Sequence, residues 1–176
     1  MTDTTIRDAT VADIAALHAL IESAYRGEAS RKGWTTEADL LGGQRTDPEE
    51  LAEIIADPDQ ALLLAWRGTE LVACVRVQKL AETLGYFGML SVHPMLQAAG
   101  LGRRMVAAAE STLAQRFAAR RARIQVFPQR DTLIAWYERL GYVATGETAP
   151  FPYGDVRFGD PRRQDLYFVV FEKPLT

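Results

Sequence analysis

Leu90-Ser91-Val92-His93-Pro94-Met95-Leu96-Gln97-Ala98-Ala99-Gly100-Leu101-Gly102-Arg103-Arg104 is the stretch on which the fold turns. An apolar strand ends at Val92, a turn follows Pro94, and glycines at 100 and 102 punctuate the start of a helix. The stripe Met105, Ala109, Leu113 and Phe117 marks one face of that helix. Such a junction suits an anion. Glycine lets the backbone approach a ligand closely, and the orphan N–H groups of a first helical turn lie at the positive end of the helix dipole. Arg103 and Arg104 add charge there. A glycine pair can also simply shape a turn, so by itself it is a weak signal. Met105 stands where a dinucleotide fingerprint has its third glycine, which argues against a Rossmann fold.

Working outward, residues 86–92 and 123–127 read as strands on either side of this helix. A helix over 133–140 and strands over 142–147 and 166–172 follow. Upstream, residues 61–66 and 71–80 form a hairpin about the turn Arg67-Gly68-Thr69-Glu70. Asp47-Pro48-Glu49-Glu50 combines an N-cap, proline at the first helical position and an acidic first turn, and so launches a helix that stops before Pro58. Residues 4–7 make a first strand, and Thr10 with Asp13 forms a capping box before a helix with Ile14, Leu17, His18 and Ile21 on one face. Residues 26–47 read as loop with a short helix around 36–41. The fold class is therefore α/β, a mixed α+β sheet with helices on both faces, in a single domain spanning 1–176.

The chain has 176 residues, 48% of them hydrophobic and 24% charged, as ordinary globular domains have. A net charge of -3 lacks the positive field that nucleic-acid binding needs, so no nucleic-acid partner is expected. The arginines at 116, 120, 121 and 123 read as a solvated helix end. Apolar runs such as 61–66 are too short for a bilayer, and Asp3, Arg7 and Asp8 stand where a signal-peptide core would be apolar. No membrane association and a cytoplasmic location are expected. The single cysteine, Cys74, fits a reducing compartment and reads as a buried structural thiol.

The spacing Gln97-x-x-Gly100-x-Gly102 after Val92-x-Pro94 resembles the diphosphate-binding motif of the GNAT superfamily of acetyl-CoA-dependent N-acetyltransferases. Leu133-Ile134-Ala135-Trp136-Tyr137-Glu138-Arg139-Leu140-Gly141-Tyr142 resembles the second signature of that superfamily, in the expected order and spacing. The resemblance implies a GNAT-like acyl-CoA N-acyltransferase fold, with a mostly antiparallel sheet splayed between two parallel strands, 86–92 and 123–127. It also implies acetyl-CoA or coenzyme A as co-substrate, no metal, and an acceptor that is a small-molecule or peptide amine. A homodimer is compatible with it. Carried onto matching positions, backbone groups of Leu90 and Val92 pair with the pantetheine arm, and Gln97, Ala98, Ala99, Gly100, Leu101, Gly102 and Arg103 hold the diphosphate. The Leu90 N–H steadies the oxyanion, and Tyr137 hydrogen-bonds the departing sulfur. Full transfer of a phenol proton of pKa about 10 to a thiolate near 8.5 costs roughly 2 kcal/mol, so hydrogen bonding describes the tyrosine better than outright protonation.

Two positions depart from the pattern. Tyr86 replaces the glutamate base of many relatives, leaving Glu82, Glu147, His93 or a water relay to take the amine proton. Arg130 replaces an asparagine and is read as a contact to a coenzyme phosphate or as a solvated surface residue. Acceptor recognition falls to two loops rich in aromatic and charged residues, 25–45 with Trp34 and 149–163 with Phe151, Tyr153, Asp155 and Arg157, together with Tyr86. The leading reading is direct acetyl transfer in a ternary complex; the alternative is a non-catalytic acyl-CoA-binding or sensing protein.

Overall fold

The computed structural model describes residues 3–26, 30–31, 36–97 and 100–176. Its main sheet sets β1 (Thr4–Asp8), β3 (Gln60–Arg67), β4 (Glu70–Lys79), β5 (Leu84–Val92), β6 (Arg121–Val126), β9 (Tyr167–Pro174) and β7 (Val143–Pro150) side by side in that order. Neighbours run antiparallel except β5 and β6, which are parallel. A separate ribbon pairs β2 (Leu41–Gly42) with β8 (Asp160–Pro161). The helices are α1 (Ile14–Tyr25), α2 (Pro48–Ala56), α3 (Leu101–Arg116) and α4 (Asp131–Arg139).

Side chains alternate across a strand, and β3 uses both faces. Leu62 and Leu64 pack with Leu17 and Ile21 of α1 and Leu51 and Ile54 of α2. Ala61, Leu63 and Ala65 point the other way, toward Met105, Ala109 and Leu113 of α3. Helices on both sides of the sheet thus explain the nearly unbroken apolar run of this strand, each fully buried leucine contributing about 1.5–3 kcal/mol.

Local signals act as their chemistry dictates. The Asp47 carboxylate accepts the Glu50 N–H at 2.7 Å and starts α2. Asp13 accepts the Thr10 N–H at 2.8 Å and is gripped by both terminal nitrogens of Arg7 at 2.8 and 2.9 Å. That guanidinium, aided by the Thr10 N–H, holds the carboxyl at about 2 against the opposing effect of burial. With a depressed folded pKa, the stabilisation is complete above the unfolded value near 3.9 and is lost as pH falls toward 2. Asp13→Ala is therefore expected to cost about 1 kcal/mol at pH 7 and progressively less below pH about 4, checked by urea unfolding across that range.

Two expectations need correction. Around 36–41 a single turn forms, with the N–H groups of Leu40 and Leu41 both reaching the Glu37 carbonyl at 2.9 Å. No helix follows, because Leu41 is taken into pairing with Pro161. Arg121 and Arg123 belong to β6 instead of a helix end and pair with Glu172 at 2.6 and 2.7 Å, while Arg116 pairs with Asp8 at 2.7 Å. Among the described residues no helix is long and apolar enough to cross a membrane.

Candidate active site

The site begins where β5 and β6 part. They pair only from Leu84–Arg121 to Tyr86–Arg123, and beyond Tyr86 their facing edges are open. The cause lies on the other side of β5. Cys74 stands opposite Ser91 and Arg76 opposite Gly88, so Met89 and Leu90 together face Val75 alone. This is a bulge, which bends the strand that carries the extra residue. Met89 takes a left-handed φ of 53° to accommodate it. The Cys74 thiol donates to the Met89 carbonyl, and burial pushes its pKa up to about 12, as suits a structural cysteine.

The gap holds a slot of about 100 Å³ lined by Leu90, Val126, Phe127, Leu133 and Tyr137 among others. Leu133 and Tyr137 share the buried face of α4 at an i, i+4 spacing. Behind the helix, Gly141 at φ +100° turns the chain so that Tyr142 packs edge-on against Tyr137. The Tyr142 hydroxyl donates to Glu110 at 2.8 Å. No described residue hydrogen-bonds the Tyr137 hydroxyl, and burial raises its pKa above the ordinary phenol value, so it stays protonated and available as a donor.

On β5 the Tyr25 hydroxyl donates to the Leu90 carbonyl, and the Gln97 amide donates to the Val92 carbonyl at 3.1 Å. The His93 N–H bonds the Val72 carbonyl, and Val92 stands opposite Ala73, so the backbone groups of Val92 face away from β4 and toward the gap. At the same end, Gly100 at φ +76° caps α3, and a Cβ there would meet no heavy atom within 4 Å. Among the described residues the first bond of this helix runs from the Arg104 N–H to the Gly100 carbonyl, and the preceding N–H groups have no helical partner there. A Cβ on Gly102 would touch Trp136 at 3.4 Å, so this glycine also seats α4 against α3. Arg103 and Arg104 are both exposed, and one terminal nitrogen of Arg104 reaches the Thr4 carbonyl at 3.2 Å. Ala98, Ala99 and Trp34 lie outside the described residues.

Beyond Tyr86 the slot opens into a cavity of about 300 Å³. The two loops expected to choose the acceptor meet over it, joined through the β2–β8 ribbon and a bond from the Arg162 N–H to the Leu40 carbonyl. Gly159 is needed there. Its φ is +110°, and a Cβ would lie 3.0 Å from the Gly42 carbonyl oxygen and 3.1 Å from that of Gln44. Gly159→Ala is expected to cost about 1–3 kcal/mol, read as a lowered Tm.

The Tyr153 hydroxyl donates to the Arg163 carbonyl at 2.9 Å and accepts the Leu166 N–H at 2.8 Å, so it staples its own loop. Arg130 is not a solvated surface residue, since its guanidinium turns inward to Glu37 at 3.3 Å. Glu82 and Glu147 are exposed, and His93 accepts from the Met95 N–H within its turn. The charged residues that do line the cavity, Arg26, Glu37, Arg45, Glu50 and Arg76, escaped the sequence reading. Arg76 was the visible signal, a cation between Val75 and Val77 in an otherwise apolar strand. Among the described residues no cluster of His, Cys, Asp and Glu gathers as metal ligands do.

The sequence profile of the Acetyltransferase (GNAT) family matches residues 16–142, more than half of the chain. The chain belongs to the GNAT acetyltransferase family. Among solved structures, a GNAT-like fold is shared with an N-acetyltransferase from Staphylococcus aureus Mu50, at a TM-score of 0.74 and 10% identity over 98% of each chain. It is shared with yncA from Salmonella typhimurium, solved with its cofactor acetyl-CoA, at 0.68 and 20% identity over 98% of this chain and 94% of that one. Ard1 from Thermoplasma volcanium aligns at 0.69 and 16% identity over 98% of each chain. Among curated proteins none matches the chain. The GNAT match spans the bulged strand, the Gly100 cap and the whole of α4, the elements that build the slot.

Proposed function

We propose that the protein is an acetyl-CoA-dependent N-acetyltransferase that passes an acetyl group to a primary amine of a small molecule or peptide, by direct attack within a ternary complex. The observation that carries this reading is the parting of β5 from β6 beyond Tyr86, which opens a slot with Leu90 on one wall and Tyr137 on the other. The chain fits the coenzyme. Open space at Gly100 and unpartnered N–H groups at the start of α3 suit a diphosphate, and the outward-facing N–H of Val92 suits an amide-bearing arm.

In this reading, backbone groups of Leu90 and Val92 hold the arm and those of residues 97–103 hold the diphosphate. Acetyl-CoA supplies, when bound, a thioester carbonyl open to attack. The Leu90 N–H donates to the carbonyl oxygen and the Tyr137 hydroxyl to the departing sulfur, both held ready in a site that excludes water. Glu37 is a poor base because it is held between Arg26 at 2.6 Å and Arg130 at 3.3 Å. The amine proton therefore leaves through water in the cavity.

Calorimetry with coenzyme A and acetyl-CoA at millimolar ligand, paired with free-thiol release over a panel of amines, tests the proposal. Heat together with amine-dependent thiol release supports it. Heat without thiol release for any amine makes the protein a non-catalytic coenzyme binder, and absence of heat removes both readings.

A further inference from the structure

The cavity beyond Tyr86 is more positive than a neutral amine needs. Four guanidinium groups, those of Arg26, Arg45, Arg76 and Arg130, line it and the adjoining slot, against the carboxylates of Glu37 and Glu50. Glu37 is spoken for by Arg26 and Arg130, and Glu50 accepts the Thr46 hydroxyl at 2.6 Å. Among the described residues no carboxylate lies within ion-pair distance of Arg45 or Arg76, although Glu37 and Glu50 act on Arg45, and Glu50 and Asp57 on Arg76, from farther off. Arg45 is held by its backbone, whose N–H donates to Glu22 at 2.7 Å, while its guanidinium lies 5.3 Å over the Tyr25 ring and makes no hydrogen bond to a described residue. Arg76 bonds the neutral amides of Gln60 and Gln78 at 2.6 and 3.0 Å.

Two half-buried cations on one cavity wall raise each other's cost, and an anion between them lowers it. The coenzyme diphosphate is not that anion. Arg76 stands opposite Gly88, and four residues, roughly 13 Å of strand, separate Gly88 from Val92 and the α3 end of the gap. A cavity of about 300 Å³ also lies at the small end of ligand pockets, which suits a small acceptor.

We propose that the acceptor is an amino-acid-sized amine carrying an acid group, which Arg45 and Arg76 bind while the amine points to the slot. This rests on the acetyltransferase reading and narrows it to one substrate class.

The test measures thiol release from acetyl-CoA with free amino acids beside their carboxamides, with aminoalkylphosphonates as a second acid arm. Thermal shift with the same compounds in the presence of coenzyme A runs alongside. The expected result is a preference of about a hundredfold in kcat/KM for acids over carboxamides. Arg45→Gln and Arg76→Gln collapse that preference, and Arg45→Lys, which keeps the charge, retains part of it. The ranking of carboxylates against phosphonates names the acid, and either order supports the proposal. Equal use of acids and carboxamides overturns it while leaving the acetyltransferase reading intact. Acid-dependent thermal stabilisation without thiol release from any of these compounds upholds the anion site and overturns its assignment to the acceptor. Neither thiol release nor acid-dependent stabilisation overturns the acid-acceptor proposal, and the coenzyme calorimetry with the wider amine panel then decides the acetyltransferase reading separately.

Discussion

Tyr137→Phe is expected to lower kcat about a hundredfold while the affinity for acetyl-CoA changes by no more than about twofold. The ring stays, so its contacts with Phe87, Trp136 and Tyr142 survive and the slot keeps its shape. Only the hydroxyl is lost, a donor that no described residue uses and that burial keeps protonated. For the same reason Tyr137 does not set an alkaline limb. Its raised pKa keeps the proton in place past the range in which the acceptor amine deprotonates, so activity of the unsubstituted enzyme rises with pH as free amine accumulates. Stopped-flow or steady-state thiol release with parallel calorimetry checks both points, and an unchanged kcat would take Tyr137 out of the mechanism.

Glu37→Ala is expected to be the most damaging single substitution for stability, by about 3–5 kcal/mol, with Tm falling on the order of 10 °C. Burial opposes the charge of Glu37, but Arg26, Arg130 and Arg45 together outweigh it and hold the carboxyl below its usual range. Removing it leaves the nearly buried guanidinium groups of Arg26 and Arg130 without their shared counterion. The sign with pH follows from the depressed pKa. The contribution is present above the unfolded value near 4.3 and disappears as pH falls through the folded one, so the substituted protein has a flatter acid limb. Thermal unfolding at pH 7 and pH 3 measures the difference, and equal losses at both would mean that the charge is not the cause.

Most strands, the helix faces and the strand-to-helix junction at 92–102 were legible because each is written in nearby residues. Val92-x-Pro94, Gly100, Gly102 and the Leu133–Tyr137 spacing carry their own geometry. The bulge at Met89 left no trace, since a left-handed methionine is set by its neighbours across β4 and not by its own type. The charged wall was hidden for a different reason. Arg130 and Glu37 are 93 residues apart, and nothing local says that they meet. Tyr153 is ambiguous in the sequence because an aromatic ring with a hydroxyl serves loop closure as well as ligand contact.

The β2–β8 ribbon pairs its backbone within itself and not with the main sheet, against which Leu41 packs through Phe127 and Phe168. Leu41 and Gly42 satisfy their partners in Pro161 and Asp160, so neither segment is complete without the other. Transplanting one of these segments from a homologue would strand backbone groups in the segment left behind. Under the proposed function, retuning acceptor selectivity thus requires moving both segments as a single cassette, and such an exchange leaves the β5–β6 parting and the Gly100 cap untouched.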